Sequence, residues 1–144
     1  MRTVKFLFMM VLLATMSSTG LAEDDTAYRT INADKAGERV EIAPHLVEGK
    51  MNIVDFYSDF CPPCKAIAPD LEALSAKNSN VVVSTIDINR PGRRGIDWNS
   101  PVARQFNLRS IPHFKIYDTE GELVAEGQKA KDLVLEMMKE HGID

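Results

Sequence analysis

Cysteine is scarce in this chain: two in 144 residues, Cys61 and Cys64, both inside one Cys-x-x-Cys spacing. A framework of several disulfides, the device that staples small exported domains, is therefore excluded. A single bridge across two intervening residues closes too short a loop to restrict the unfolded chain much. Histidine is as sparse. His45, His113 and His141 are scattered without ligand spacing, so a four-ligand structural zinc site lacks donors to complete it. No apolar run approaches the ~20 residues that cross a bilayer as a helix. No Gly/Ser linker and no repeat divides the sequence, and its length fits one domain. An excess of basic charge is also missing, since 17 Lys and Arg stand against 21 Asp and Glu. That balance argues against a nucleic-acid partner, which would call for a basic face.

The amino-terminal end has its own pattern. Arg2 and Lys5 make a short basic start, Phe6 to Thr15 is a nearly unbroken apolar run, and small and polar residues follow to Gly20-Leu21-Ala22, ahead of Glu23-Asp24-Asp25. Basic end, apolar middle and small-residue site, in that order, mark a secretory signal. The expectation is a signal peptide over residues 1–22, cleaved after Ala22, and an exported domain over 23–144, with a bacterial periplasm as the compartment. The run falls well short of a bilayer span, so a cleaved signal is the leading reading and a retained anchor the alternative. No cysteine lies near the cleavage site, so a lipoprotein signal is not indicated. Without Arg2 and Lys5 the remaining chain carries a net charge of about −6, which favours solubility.

Past the signal, residues 23–37 are polar and without a clear period, and read as a loose lead-in. Glu38 to Ile42 alternates weakly and is read as a possible first strand, and Pro44 to Glu48 as a short helix or turn. Asn52 to Tyr57 is short, mostly apolar and rich in strand formers, which predicts a central buried strand. A helix is expected from Cys61 or Pro62 to near Lys77, with Ile67, Leu71 and Leu74 on one stripe and Pro69 as an internal kink. Val81 to Ile86 reads as a second buried strand. Arg90 to Asn99 is a loop, and Ser100-Pro101 starts a short helix as N-cap and first helical residue. His113 to Asp118 and Glu122 to Glu126 read as a hairpin turning at Glu120-Gly121. Lys129 to His141 closes the chain as an amphipathic helix, with Leu133, Val134, Met137 and Met138 on its inner side. Alternating strands and helices followed by a hairpin predict an α/β fold, a mixed sheet with helices on both faces.

Within that order, a strand ends just before Cys61 and a helix begins there. The first sulfur then sits at a helix N-terminus, where backbone N–H groups and the macrodipole favour thiolate, the attacking species. Cys64 follows one helical turn later, within reach of Cys61. The pair is built for redox exchange, and a purely structural disulfide or a metal site is the weaker reading of it.

The stretch Asp55-Phe56-Tyr57-Ser58-Asp59-Phe60-Cys61-Pro62-Pro63-Cys64-Lys65 resembles the strand–Cys-x-x-Cys–helix segment of the thioredoxin superfamily. Asp55 matches that family's buried acid, Pro69 its kinking proline, Ser110-Ile111-Pro112 its Ile-Pro step with a cis proline beside the dithiol, and Gly121 and Gly127 its hairpin glycines. The likeness covers roughly residues 50–142. The lead-in Gly37 to Ile42 with Gly49-Lys50 is similar to exported members. The sequence departs at Phe60, where the family has Trp, at Pro62, where it commonly has Gly, and at Thr85, where a family Lys near the buried acid falls. It also has a longer connection around Gly92 to Ser100.

The resemblance implies a thioredoxin-like fold and protein-disulfide oxidoreductase activity without a cofactor. Cys61 and Cys64 would form the redox-active disulfide, with Asp55 taking or relaying the proton of Cys64. Phe60, Pro62, Ile111 and Pro112 would contact the substrate. The implied partners are protein disulfides or dithiols and a membrane thiol donor of electrons, and a monomer is the simplest state. A disulfide reductase is the leading role, with an oxidase or isomerase, or a non-catalytic binding module, as alternatives. His113 has a possible but secondary role, and Arg90, Arg93 and Arg94 with Trp98 read first as a solvated loop and second as a docking surface. One consequence comes from the residues themselves. Pro62 and Pro63 have no N–H, so two donors that might face the Cys61 sulfur are missing. The Cys61 pKa should lie below the ~8.5 of a free thiol but well above the ~3.5 extreme. Thiolate absorbance against pH checks this, and a midpoint below about 4.5 would overturn it.

Overall fold

A computed structural model describes residues 27–143. The signal-peptide reading of residues 1–22 lies outside them. The sheet is built from β1 (Tyr28–Thr30), β2 (Met51–Tyr57), β3 (Val81–Asp87), β4 (His113–Tyr117) and β5 (Leu123–Glu126). Three helices alternate with them: α1 (Pro62–Lys77), α2 (Pro101–Gln105) and α3 (Gln128–Glu140), plus a 3-10 turn at Ala43–His45. The strand order is β1-β3-β2-β4-β5. β3 runs parallel to both β1 and β2, while β4 is antiparallel to β2 and to β5. Among the described residues, no helix is long and apolar enough to cross a membrane.

Two apolar layers sandwich the sheet. Strand alternation sends Ile53, Val81, Val83, Phe114 and Ile116 to one face, where Leu71 and Leu74 of α1 and Ala130, Val134 and Met138 of α3 cover them. Val54, Phe56 and Ile86 point to the other face, against Val102 and Ala103 of α2 and against Val40 and Ile42. The expected mixed sheet with helices on both faces is the one observed. β2, α1, β3, α2, the hairpin and α3 lie where the periodicity placed them. Ser100 caps α2 by accepting a hydrogen bond from the Ala103 N–H at 3.2 Å.

Three expectations need correction. Residues 27–37 are not a loose lead-in. β1 forms there, and the Asn32 side chain continues the pairing, donating to the Asp87 carbonyl at 2.8 Å and accepting from the Asp87 N–H at 2.9 Å. A side-chain amide thus mimics a strand residue, which hydropathy does not register. Residues 38–42 form no strand. Val40 and Ile42 are buried by packing instead, and Val40 exchanges two hydrogen bonds with the Gln105 side chain at 3.0 and 2.8 Å. On α3 the inner stripe is Ala130, Val134 and Met138, with Met137 at its margin, whereas Leu133 is exposed. An i, i+4 row seats the helix, so Leu133 falls to the side.

Gly37 locks the amino-terminal segment to the rest. Its N–H donates to the Asp87 carbonyl at 3.0 Å, its carbonyl accepts from the Val102 N–H at 3.1 Å, and its φ is 78°. A Cβ there would meet the Arg90 backbone nitrogen at 2.5 Å. Gly37→Ala should therefore destabilise the fold by about 1–3 kcal/mol. Gly49→Ala, at φ 77° but with nothing within 4 Å, should cost less. Urea midpoints of the two variants test the ranking.

Candidate functional site

β2 carries the chain to Tyr57, and a short turn follows in which the Phe60 N–H donates to Ser58 Oγ at 3.1 Å. Cys61 is then the N-cap of α1, in extended conformation, and Pro62 and Pro63 start the helix. Proline suits this position because its missing N–H would have no helical partner anyway. The sulfurs of Cys61 and Cys64 form a disulfide. The Cys64 N–H donates to Cys61 Sγ at 3.3 Å. The two prolines between can supply no donor, so this is the backbone N–H held on that sulfur. Each cysteine keeps 2% of its surface exposed.

Ile111 and Pro112 are joined by a cis peptide bond. The Ile111 carbonyl oxygen is 3.7 Å from Cys61 Sγ. Both residues are half-buried, while Phe60 and Pro62 are exposed beside the disulfide along the chain. His113 belongs elsewhere. It pairs with Phe56 across the β2–β4 ladder, stands edge-on to the Phe56 ring at 5.8 Å, and lies 3.2 Å from Glu126 Oε1. Its side chain serves packing on the sheet face opposite Asp55.

Asp55 is in the middle of the sheet, flanked in register by Thr85 of β3 and Phe114 of β4. It points to the α1 side, as Ile53 does, and is 2% exposed. Its Oδ1 has no hydrogen-bond partner among the described residues. Burial without compensation disfavours the carboxylate, and the pKa is raised from 3.8 to about 7. The position that carries a lysine in the resemblance holds Thr85, whose Oγ1 is 2.8 Å from Thr30 Oγ1. Two tyrosines were missed by sequence reasoning. Burial and the charge of Asp55 both push the Tyr28 hydroxyl up, and the same influences, with Asp87 and Asp59, act on Tyr57. Tyr57 shares the Asp55 face by simple alternation, so the pattern contained it. Tyr28 lies in the segment that gave no period.

The family model described as Thioredoxin matches residues 41–140. The chain belongs to the thioredoxin family. It is 31% identical over 120 residues to Thioredoxin H5 of Arabidopsis thaliana, covering 74% of this chain and 94% of that one. It is 38% identical over 87 residues to the chloroplastic Thioredoxin F1 of the same plant, covering 59% of this chain and 44% of that one. The chain thus spans less than half the length of this second relative. Among solved structures, spinach chloroplast thioredoxin f in its short form superposes with a TM-score of 0.56 at 24% identity, over 81% of this chain and 96% of that one. That likeness is one of fold. This thioredoxin-family chain has a Cys61–Cys64 disulfide, a cis Ile111–Pro112 bond and a buried Asp55.

The proton on Asp55 couples to stability. The folded chain holds it up to pH about 7, whereas the unfolded chain releases it near 3.8. Between those values the unfolded state binds fewer protons, so stability falls as pH rises. Asp55→Asn removes this dependence. For the oxidised proteins, the variant should gain on wild type from about pH 4 upward and level off near pH 8, at a difference on the order of 4 kcal/mol. Denaturant unfolding across that range tests it, and a difference that does not change with pH would count against it.

Proposed function

We propose that this chain is an exported thiol–disulfide exchanger that works as a periplasmic disulfide reductase on protein substrates. The observation that carries the reading is the Cys61–Cys64 disulfide at the start of α1, with Cys61 Sγ beside the Ile111 carbonyl. In the reduced protein the Cys61 thiolate attacks one sulfur of a partner's disulfide. A mixed disulfide forms and the partner's other sulfur leaves as a thiolate. Cys64 gives its proton to Asp55, whose buried carboxyl has the affinity to accept one near neutral pH. The Cys64 sulfur then attacks Cys61 Sγ, and the partner departs with both sulfurs reduced. Two electrons have passed from the dithiol to the partner.

Phe60, Pro62, Ile111 and Pro112 form the proposed substrate rim. An extended substrate strand can pair with the Ile111 backbone while the apolar side chains cover the reacting sulfurs. Reduction is favoured over strong oxidation because only modest stabilisation of the thiolate is available at a helix start with two prolines. Export is supported by the basic, apolar and small-residue order of residues 1–22. In that compartment a membrane thiol donor restores the dithiol, and a monomer suffices for the chemistry. An oxidase or isomerase would use the same steps in other directions, and the redox equilibrium against glutathione separates these roles.

A Cys64→Ser variant checks the exchange reading. It should accumulate covalent mixed disulfides that reductant releases, whereas Cys61→Ser should form none. Asp55→Asn should slow turnover while leaving the fold intact. Equal, noncovalent capture of partners by wild type and by the double Cys→Ser form would instead support a binding module.

A further inference from the structure

The charge of this chain is unevenly placed. From Arg90 to Pro112 the sequence carries five arginines, Arg90, Arg93, Arg94, Arg104 and Arg109, against one acid, Asp97, within a chain whose net charge is −4. Asp97 is already engaged. It is 7% exposed and accepts from Arg90 Nε at 2.7 Å and Arg90 Nη2 at 3.1 Å, and Arg93 Nε lies 3.8 Å from it. The Arg90 guanidinium holds the Asp97 carboxyl below its ordinary range. No carboxylate among the described residues pairs with Arg94, Arg104 or Arg109.

Arg104 and Arg109 line an open recess of about 450 Å³ together with Trp98, Asn99, Asn107 and Leu108. Trp98 is the chain's only tryptophan and is 40% exposed. An exposed indole among arginines is the composition found where protein partners bind most strongly. Arg109 at the edge of the recess is three residues before Pro112 in the chain, and the Ile111 carbonyl between them is 3.7 Å from the Cys61 sulfur. The loop that carries Trp98 is held in shape. Asn89 Nδ2 donates to the Gly95 carbonyl at 2.7 Å, and the Asp97 N–H donates to Asn89 Oδ1 at 3.1 Å.

We propose that the recess formed by Trp98, Arg104 and Arg109 is a docking site for an acidic segment of the partner protein, lying alongside the partner's reacting cysteine. The orientation rests on the reading above that substrate runs over Ile111 and Pro112. The site selects by charge: Asp or Glu side chains pair with Arg104 and Arg109, and an apolar or backbone portion covers Trp98. Such pairing at an exposed rim acts mainly on the rate of encounter and weakens as salt rises. A concave recess lined by an indole and two guanidinium groups fits a peptide chain better than a lipid surface does.

The test uses the full oxidised chain and three cysteine-free peptides of equal length, rich in Glu, Gln or Lys. Trp98 fluorescence is the readout, since no other tryptophan contributes. The Glu peptide should give a saturable change that shrinks as salt is raised, and the Gln and Lys peptides should not. In Arg104→Glu/Arg109→Glu the Glu-peptide affinity should drop by about tenfold or more, and in Arg104→Gln/Arg109→Gln by less. Equal responses to all three peptides, an unchanged affinity in the charge-reversed variant, or a response to phosphatidylglycerol vesicles without one to the Glu peptide would each overturn the proposal. Exchange of the pre-reduced (dithiol) proteins with a small neutral disulfide is measured in parallel, and both variants should match wild type there. Loss of exchange in the wild type itself would sink the catalytic reading while leaving the binding result to decide the docking site.

Discussion

The register of β2 is the constraint on which the rest of the site depends. This strand is hydrogen-bonded on both edges, to β3 in parallel and to β4 in antiparallel fashion, and its interior residues are buried. A slip of one residue would exchange the two faces. Asp55 would turn from the α1 side toward α2, and the core residues Val54 and Phe56 would lose their layer. The turn to Cys61 begins where β2 ends, so the same register sets where α1 starts and where the first sulfur stands. β4 fixes the opposite wall, because the strand that faces Asp55 with Phe114 is entered through Pro112. One central strand therefore positions the acid, the sulfur and, through its neighbour, the Ile111 carbonyl.

The electrostatics of the site follow from what is missing around that strand. Thr85 in register beside Asp55 contributes a hydroxyl that is already bonded to Thr30 rather than a cation. Burial then acts on the carboxyl unopposed and keeps its proton to near neutrality. At the other end, two prolines remove donors from the first turn of α1, leaving the Cys64 N–H on Cys61 Sγ. Both features work in one direction: they limit how strongly the site can favour negative charge on either the acid or the sulfur.

Much of this was legible from residue order because strong local signals agreed. A mostly apolar run of strand formers before Cys61, prolines at a helix start, Ser100 before Pro101, and Glu120-Gly121 between two short strands each have one natural structural outcome. The errors came where tertiary pairing replaced local pattern. β1 is three residues long, too short for any period to emerge, and exists because β3 has a free edge for it. Val40 and Ile42 alternate as a strand would, yet they are buried by side-chain packing and by the Gln105 amide rather than by a ladder. On α3, six apolar side chains (Ala130, Leu133, Val134, Leu135, Met137 and Met138) compete for one narrow contact, and only the sheet beneath decides which of them turn inward. The buried acid was legible as an anomaly in an apolar strand, whereas its tyrosine neighbour Tyr28 comes from a distant segment and was not.

The amino-terminal segment and the arginine-rich loop, separate in sequence, are one unit in space. Gly37 can sit against the Arg90 backbone only because it lacks a side chain, and its carbonyl receives the Val102 N–H at the start of α2. Three residues later Val40 is clasped by Gln105 at the end of α2. The same α2 supplies Arg104 to the recess, and the loop anchored at Arg90 and Asp97 supplies Trp98. The segment whose composition marks it as loose is thus what fixes α2 and the loop against the sheet. A longer loop with its own charge could have been a mobile appendage. Bound in this way its backbone is a fixed part of the fold, with Arg90 held by Asp97 at its base.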